Sequence, residues 1–422
     1  MIVLIFVGLI LLAHYYLWHR LVRSTTAPGR LRKALTWGVV ALMLLVVATF
    51  VGTRADFGTW LAWPGYLWLA LLFYLFVFLA VLEIPRAVAA VLLRRAERRR
   101  APVPEPVAVL AGTPAPDDVA AGLPDVTPDP GDATLDPGKE QPPAGLSRRL
   151  FLGRATAAVA GVGAAATVGY GVSSALGDPV IEPVRVTLPK LDPRLSGLRF
   201  AVVSDIHLGP LTGRSHTERI VRMINGLEAD VVAIVGDLVD GSVARLGPLA
   251  RPLKDLESRY GAYFVTGNHE YFSPGGYIEW LDELGELGVR PLRNERVEIA
   301  HQGAVLDLAG VNDLGGASQG DGPDFAKALG GRTSGRSTVL LAHQPVQVTE
   351  AARHGVDLQL SGHTHGGQIV PFNLVVGLQQ PVVSGLATVD GVQVYTTRGA
   401  GFWGPPVRVG APPEITILEL RS

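Results

Sequence analysis

The sequence predicts an α/β layered domain in the C-terminal part of the chain, preceded by an all-α transmembrane region. Three long apolar runs come first, and a globular composition begins at about residue 178. From there, short runs rich in β-branched residues alternate with stretches of helical spacing, and polar clusters follow the runs. Short continuous apolar runs are typical of strands that are covered on both faces of a sheet.

The composition agrees with a membrane part and a globular part in one chain. The 422 residues carry a formal charge of −1, and their mean hydropathy of +0.29 is high for a soluble protein. The near-zero net charge gives no support for nucleic-acid binding, so we expect no nucleic-acid partner. The absence of cysteine excludes disulfides, iron–sulfur clusters and thiolate zinc sites.

Residues 1–100 are predicted to form a membrane region with three transmembrane helices and a basic flank. The apolar runs are Met1 to Trp18, Ala34 to Thr53 and Thr59 to Ile84. Each is close to the roughly 20 residues that cross a bilayer as a helix. A buried core helix would explain one such run, but three in succession with Trp and Tyr near several ends favour membrane spans.

Basic residues set the expected orientation of these spans. The loop between the first two runs and the segment after Ile84 are rich in arginine, whereas the second loop carries only Arg54 and Asp56. The positive-inside rule then places the N-terminus and the second loop outside the cytoplasm. The segment after Ile84 would lie inside, either as a basic amphipathic helix on the membrane surface or as a simple stop-transfer flank.

Two segments join the membrane region to the globular domain. Residues 101–146 are rich in Pro, Ala, Gly and Asp, so they are predicted to be a disordered linker. Residues 147–177 begin with Ser-Arg-Arg-Leu-Phe-Leu and continue as a small apolar run, which resembles a twin-arginine export signal. A fourth transmembrane helix with an arginine-rich inner flank is the alternative. Ala175 ends a weak cleavage site, but we expect the domain to stay tethered.

Both interpretations of residues 147–177 place the following domain, residues 178–422, on the extracytoplasmic side of a multi-pass plasma-membrane protein. That domain is long enough to bury a core of its own. Its apolar runs each lead into a cluster of Asp, Asn or His, and these clusters contain Asp205 and His207, Asp237 and Asp240, Asn268 and His269, His343, and His363 and His365. Because α/β sheets gather ligands at the carboxyl ends of their strands, we expect these side chains to meet.

The segment 362–368 carries two histidines that are separated by one residue and framed by glycines. A polar turn with two solvated histidines is one interpretation. If His363 and His365 instead lie on an extended segment, their rings point in different directions and can serve two neighbouring metal ions. Oxygen and nitrogen ligands without thiolate suit Mn²⁺, Fe, Zn²⁺ or Mg²⁺, and two such ions can clamp a phosphate and activate a water. Asp237 is the natural candidate for the carboxylate that they share.

These motifs, in this order, resemble those of the calcineurin-like metallophosphoesterase family. The resemblance extends from Leu198 to about Glu419, and Gly366-Gly367-Gln368 after the last histidine looks like the membrane-associated branch, which often carries a twin-arginine signal. It implies a two-sheet sandwich flanked by helices. It also implies in-line attack by metal-bound hydroxide, without a phosphoenzyme.

The resemblance further implies a role for each motif residue. Each of two divalent ions would have three ligands of its own, which we name the first ligand set (Asp205, His207 and His365) and the second ligand set (Asn268, His343 and His363). Asp237 would bridge the two ions. His269 would be the catalytic residue, because it would contact the phosphate and protonate the leaving group.

Other polar and aromatic residues have less defined predictions. Substrate contacts are expected from Asn268, His269, Arg214 and Phe402, and also from Arg398 and Arg408. Phe402 and Trp403 would form an apolar lip beside the site, with ordinary turn packing as the alternative. Asp240 and Glu270 are expected to orient the ligands, and the histidines outside every motif are expected on the surface: His216, His301 and His354.

The sequence therefore predicts a membrane-anchored, outward-facing phosphohydrolase that uses two divalent metal ions on phosphomonoesters or phosphodiesters. A substrate that is lipid-linked suits the position beside a membrane, and a hydrolase of lipid-linked nucleotide-sugar pyrophosphates is one alternative. The other is a non-enzymatic membrane protein whose metal-stabilised domain is a binding module. The twin-arginine export machinery would be a partner if the signal operates.

Overall fold

The computed structural model describes residues 2–54, 58–100, 148–273 and 276–422. Within these residues, N-terminal helices are followed by two six-stranded sheets with helices packed against them. The predicted disordered linker, residues 101–146, lies outside the described residues, as does Asp56.

The N-terminal part is helical, as predicted. Its helices are α1 (Ile2–Leu17), α2 (Arg30–Arg54), α3 (Ala62–Arg100) and α4 (Arg148–Leu176). Among the described residues, three stretches are long and apolar enough to cross a membrane by length and composition, namely Arg30–Thr53, Thr59–Ala89 and Leu150–Leu176. Helix α1 has 16 residues and continues as a π-helical segment, Trp18–Arg23. The predicted first span is therefore helical but short, and its crossing of the membrane stays a prediction.

The N-terminal helices pack through apolar side chains, and several charged side chains meet at one end of their bundle. Leu79 of α3 and Ala164 of α4 are buried in a shared apolar cluster. At one end of the bundle, the Glu83 carboxylate lies 2.6 Å from Arg20 and 3.1 Å from Arg86. Arg154, near the start of α4, donates a hydrogen bond to a carbonyl in the loop that precedes α2. Basic residues from three parts of the chain thus share this end.

The first sheet contains both chain ends of the globular domain. Its strands are β1 (Val180–Thr187), β2 (Arg199–Val203), β3 (Val231–Val235), β4 (Ala262–Val265), β5 (Val289–Pro291) and β12 (Glu414–Arg421). Their order is β1-β12-β2-β3-β4-β5. Strands β2 to β5 run parallel, and β12 is parallel to β1 but antiparallel to β2.

The second sheet is also mixed. Its strands are β6 (Glu295–His301), β7 (Ala304–Gly310), β8 (Thr338–Leu341), β9 (Leu358–Ser361), β10 (Gly385–Val389) and β11 (Val392–Thr396). Their order is β10-β11-β9-β8-β7-β6. The four central strands run parallel, and the two edge strands β6 and β10 are antiparallel to their neighbours.

Alternation along the strands builds a layered core. Phe200 and Val202 of β2 pack between the two sheets with Leu308 of β7, whereas Ala201 and Val203 face outward. The helices that cover the outer faces are α5 (Arg214–Asn225), α6 (Val243–Ala250) and α7 (Tyr277–Glu286) on the first sheet, and α8 (Phe325–Leu329) and α9 (Val348–Arg353) on the second. Burial of each Leu or Phe side chain in this core stabilises the fold by about 1.5–3 kcal/mol relative to an exposed side chain. The predicted two-sheet sandwich flanked by helices is confirmed.

Candidate metal centre

The structure brings the motif residues together at the carboxyl ends of parallel strands. Asp205 and His207 follow β2, Asp237 follows β3, Asn268 and His269 follow β4, His343 follows β8, and His363 and His365 follow β9. Both sheets contribute, so the centre lies where their strand ends meet. The expectation that polar clusters at strand ends converge therefore holds for residues far apart in the chain.

The first ligand set is compact and buried. His365 Nε2 lies 3.3 Å from Asp205 Oδ1 and 3.1 Å from His207 Nε2. Two ligand atoms at about 2.1 Å from one octahedral ion are about 3 Å apart. The three ligand atoms all lie within 4.8 Å of one another, as a shared ion requires.

Asp237 groups with two members of the second ligand set. Its carboxylate forms a cluster with His343 and His363, again with ligand atoms within 4.8 Å of one another. Asp237 Oδ2 is 3.1 Å from His343 Nε2 and 4.0 Å from His207 Nε2, which belongs to the first set. Asp237 thus stands between the two sets, in the position that a bridging carboxylate needs.

Three ligand atoms test whether these residues fit metal ions. Asp205 Oδ1, Asn268 Oδ1 and His343 Nε2 are buried and make no hydrogen bond of suitable geometry with the described residues. The 3.3 Å contact of Asp205 with His365 and the 3.1 Å contact of His343 with Asp237 join candidate ligands to each other. Leaving a buried polar atom unsatisfied costs about 1–3 kcal/mol, so these three atoms are suited to another partner. They come from both ligand sets, and their chemistry of carboxylate, amide and imidazole suits divalent ions such as Mn²⁺, Fe²⁺, Zn²⁺ or Mg²⁺.

The backbone of the ligand loops is unusual. Several candidate ligands have a left-handed φ, namely Asp205 (52°), His207 (47°), Asp237 (52°), His363 (69°) and His365 (53°). Residues other than glycine rarely adopt this conformation, and such strain costs of order 1–3 kcal/mol per residue. The extended segment on which the sequence prediction relied is not observed, because His363 and His365 both have a left-handed φ and a 3-10 turn begins at His365. An ordinary polar turn does not account for the backbone either, since the same conformation recurs on separate loops that converge.

Asp240 holds two of the imidazoles by one oxygen. Its Oδ1 lies 3.0 Å from His207 Nδ1 and 2.6 Å from His269 Nδ1. A hydrogen bond at Nδ1 leaves Nε2 of each ring as the nitrogen for a metal or a substrate. Burial lowers the pKa of His269, but the carboxylates of Asp237 and Asp240 outweigh burial and raise the pKa to about 9. Asp240 thus acts as the orienting group that the sequence predicts.

Glu270 ties two ligand loops together. Its buried carboxylate accepts hydrogen bonds from the backbone N–H groups of Asp237 (3.1 Å), Leu238 (2.8 Å) and Gly267 (2.6 Å). Burial, followed by the nearby Asp237 charge, raises the pKa of Glu270 to about 7. The loops after β3 and β4 are therefore positioned relative to each other by one side chain.

Arg408 supports a ligand instead of meeting a substrate anion, which corrects the sequence prediction. The residue is fully buried. Its guanidinium donates to the carbonyls of His365 (2.7 Å) and Gly401 (2.9 Å) and lies 3.1 Å from His365 Nδ1. Burial lowers the pKa of Arg408 to about 10. No local motif in the sequence indicates this role, because the partners are mainly backbone carbonyls.

The other two arginine candidates are engaged in ion pairs. Arg214 lies on the exposed surface of α5 and donates to Glu218 at 2.8 Å. Arg398 pairs with Glu182 at 3.1 Å and with Glu414 at 2.7 Å. Neither lines the cavity beside the ligand sets.

Two arginines that the sequence treats alike should differ sharply in their effect on stability. We expect Arg408→Met to destabilise the protein by about 2–5 kcal/mol, because several buried carbonyls lose their donor. Arg214→Met should change stability by less than about 0.5 kcal/mol, since its ion pair is exposed. Thermal unfolding of the full chain in detergent, followed by circular dichroism, compares the two. Equal unfolding midpoints would contradict the assigned role of Arg408.

A cavity of about 330 Å³ opens beside His207, Asp240 and His269. Phe402 and Trp403 both line it, so the predicted apolar lip lies at the cavity. Two residues that the sequence did not suggest line it as well: Thr53, near the end of α2, and Tyr66, near the start of α3. Only tertiary packing brings them there, and no motif marks them.

The predicted surface position of the remaining histidines is wrong for two of them. His216 faces inward from α5 and is buried, and burial lowers its pKa to about 4. His301, at the end of β6, is buried and lies 2.8 Å from the hydroxyl of Tyr260. His354 is half-buried at the end of α9. His216 and His301 are buried because their side chains point into the packed domain. The polarity of a histidine in the sequence does not show which way its side chain points.

Comparison with known proteins agrees with this centre. Residues 198–367 match the family model described as calcineurin-like phosphoesterase, and the chain belongs to this family. It is 40% identical over 261 residues to an uncharacterized metallophosphoesterase of Helicobacter pylori strain J99, across 60% of this chain and 68% of the relative. It is 32% identical over 246 residues to one from Aquifex aeolicus, across 57% of this chain and 92% of the relative.

A further relative combines the domain with a membrane region. A protein of Danio rerio described as a transmembrane protein with metallophosphoesterase domain is 40% identical over 263 residues, across 60% of each chain. The chain spans about three fifths of the length of this relative and of its Bos taurus counterpart. Family membership and metal-ligand clusters support a metal-dependent phosphoesterase domain, and the apolar helices support membrane association.

Proposed function

We propose that this protein is a membrane-anchored phosphohydrolase that cleaves phosphomonoesters or phosphodiesters with two divalent metal ions. The observation that carries the proposal is a set of neighbouring ligand clusters. Asp205, His207 and His365 form one, and Asp237, His343 and His363 form another. Both ligand sets contain buried ligand atoms without a hydrogen bond. Structural metal sites need only one closed ligand shell. Two adjacent clusters beside an open cavity suit catalysis on a phosphate.

The residues divide into holding, orienting and proton-donating groups. The first and second ligand sets would each hold one ion, with Asp237 shared, and the ions would supply Lewis-acid catalysis and activation of water when bound. His269 lines the cavity, and its Nδ1 is hydrogen-bonded to the Asp240 carboxylate. Its Nε2 can therefore contact a phosphate oxygen and give a proton to the leaving oxygen. We propose that each of the two native metal ions is Mn²⁺, Fe, Zn²⁺ or Mg²⁺.

The enzymatic proposal is tested with the full chain in detergent. Purified protein loaded with Mn²⁺ is expected to hydrolyse p-nitrophenyl phosphate or its bis-ester, and chelation with EDTA should abolish the reaction. Metal bound to the protein without turnover on either ester would instead favour the alternative, a non-enzymatic module that uses the domain for binding.

The arrangement of the bundle supports an extracytoplasmic domain in the plasma membrane. The cluster of Arg20, Glu83 and Arg86 marks one end of the helices, and the positive-inside rule assigns such an end to the cytoplasm. Thr53 and Tyr66 line the cavity and lie at the other end of the bundle, near the end of α2 and the start of α3. We propose that residues 147–177 are a twin-arginine-like signal retained as a further span, because α4 packs within the bundle. We also propose the domain boundaries 1–100, 101–146, 147–177 and 178–422.

A reporter fusion tests this orientation. Alkaline phosphatase folds to an active enzyme only when it is exported, so we expect activity when it is fused after Ala175 and little activity when it is fused within residues 101–146. Immunoblots of both fusions control for expression. Activity in the linker fusion together with inactivity after Ala175 would invert the proposed topology.

A further inference from the structure

We propose that the transmembrane helices complete the catalytic cavity, and that its substrate is a phosphate ester whose long apolar chain stays in the bilayer. This inference rests on the proposed phosphohydrolase function and specifies its substrate class. Thr53 and Tyr66 of the membrane region line the same cavity as His207 and His269. A ligand in this cavity would therefore touch the membrane helices and the candidate metal centre together.

Away from the imidazoles, the walls of the cavity combine apolar side chains with the hydroxyls of Thr53, Thr212 and Ser273. Leu211, Phe272, Phe402 and Trp403 contribute apolar surface, and Asp240 is a carboxylate. Among the described residues, no lysine or arginine lines the cavity. Recognition of a nucleotide diphosphate or a phosphopeptide normally needs cationic side chains for the additional charges. These walls are better suited to one phosphate at the metal centre and an aliphatic chain beside it.

Exposed aromatic residues mark the rim of the cavity. Phe272 is 67% exposed and Trp403 is 51% exposed. Their ring centroids lie 5.9 Å and 6.2 Å from that of His269. Trp60 and Trp63 are exposed near the start of α3, and tryptophan is enriched at the interface between membrane and water. The rim thus lies at the level where an amphiphile presents its head group.

The loop that carries Trp403 is packed against the membrane helices. A Cβ on Gly404 would lie 3.7 Å from the Tyr66 ring, so this loop rests directly on α3. The Arg408 backbone N–H donates to the Gly171 carbonyl of α4 at 2.9 Å, and Val407 is buried in the cluster of membrane helices. Arg408 also holds His365. One loop therefore connects the bundle, the cavity rim and the metal centre.

A second apolar surface lies on the same side of the domain. Four large side chains in and around helix α10 (Asn373–Val376) are exposed: Phe372, Leu374, Val375 and Leu378. The Val370 N–H, just before them, donates to the Val409 carbonyl, and Val409 packs against the cluster of membrane helices. A bilayer surface that continues from α4 across this face would cover these side chains, so the cavity would open at the membrane.

The size of the cavity limits what it can enclose. At about 330 Å³ it lies at the lower end of ligand pockets, which span about 300–1,000 Å³. It can hold a phosphate and the first carbons of a chain. The rest of a long chain must leave past Tyr66 and Trp403, toward α2 and α3.

The test compares two alkyl phosphates with the same type of leaving group. The full chain with Mn²⁺ in mixed micelles is assayed for phosphate release from hexadecyl phosphate and from propyl phosphate. We expect a higher kcat/KM for hexadecyl phosphate in the wild type. Tyr66→Ala should reduce the ratio of the two kcat/KM values about tenfold, because the chain loses apolar contact. Tyr170→Ala replaces an exposed tyrosine of α4 outside the cavity, and it should leave the ratio unchanged.

The outcomes separate this inference from the function on which it rests. Hydrolysis of both esters with equal kcat/KM in the wild type, or with the same ratio in Tyr66→Ala, would overturn the inference alone. Hydrolysis of p-nitrophenyl phosphate or its bis-ester without hydrolysis of either alkyl phosphate would also overturn the inference alone. No hydrolysis of the alkyl phosphates, of p-nitrophenyl phosphate or of its bis-ester would overturn the proposed function and the inference together.

Photolabelling provides a readout that does not depend on turnover or on the folding of a variant. A hexadecylphosphonate with a diazirine near its head group, which cannot be hydrolysed because it has no ester bond, is added to wild-type protein loaded with Mn²⁺ and should label peptides that contain Tyr66 or Trp403. Excess unlabelled hexadecyl phosphate should compete, and propyl phosphate should not. Labelling confined to peptides outside the cavity would contradict the proposed position of the chain.

Discussion

Replacing Asp237 with asparagine is expected to lower metal-dependent hydrolysis by about 10³-fold or more. The substitution keeps the shape of the side chain but removes the negative charge that two neighbouring cations share. Asp237 Oδ2 lies near imidazoles of both ligand sets, so loss of its negative charge should weaken the binding of both ions. Metal ions contribute several kcal/mol of transition-state stabilisation, and each 1.36 kcal/mol corresponds to tenfold in rate.

The experiment measures phosphate release and bound metal on the same preparation. Asp282→Asn is a matched control, because Asp282 is an exposed residue of α7 that belongs to none of the ligand clusters and does not line the cavity. It should retain both metal and activity. If Asp237→Asn retained its full metal content and normal turnover, Asp237 would not be the shared ligand.

Replacing His269 with glutamine should have the second-largest effect, and the effect should depend on the leaving group. Proton donation by a positioned side chain contributes about 10²–10⁴-fold, so hydrolysis of an alkyl phosphate should fall by that amount. Hydrolysis of p-nitrophenyl phosphate should fall less, because p-nitrophenolate leaves without much help from a proton. Metal content should be unchanged, since the His269 side chain lies outside both ligand sets.

The ratio of the two losses identifies the role of His269. His354→Gln, at a half-buried position just after the end of α9, serves as the control and should leave both rates unchanged. Equal losses on the two esters would indicate that His269 binds phosphate without donating a proton. Loss of metal would show that it supports the ligand loops, and unchanged rates would exclude any catalytic role.

The residues of the site could be predicted because topology restricts where such residues meet. Asp205, Asp237 and Asn268 each follow a short apolar run, and the runs became adjacent parallel strands. Parallel strands place their carboxyl ends at the same edge. His343 and His363 come from the second sheet, and the sequence shows the same pattern for them. Chemistry alone gave the type of site, whereas the division into two ligand sets required the family resemblance.

The residues that were missed depend on three-dimensional packing. Arg408 looked like a loop arginine for substrate, yet its donors reach the His365 and Gly401 carbonyls in a buried position. Tyr66 has no sequence signal that distinguishes it from the other Trp and Tyr residues near the ends of the apolar runs, yet it lines the cavity. Neither role has a local pattern, because each is set by how the loop before β12 lies across the bundle. The left-handed φ of the ligand residues likewise could not be predicted from the sequence, because Asp and His usually have a negative φ.

The number of metal ions bound per chain tests the two-metal centre most directly. The full chain, purified in detergent, is titrated with Mn²⁺ after treatment with EDTA, and bound metal is counted by mass spectrometry at each step. We expect saturation at two ions per wild-type chain, with hydrolysis of p-nitrophenyl phosphate reaching its maximum only near the second equivalent. Saturation at one ion per chain with full turnover would contradict a centre in which Asp237 joins two ions.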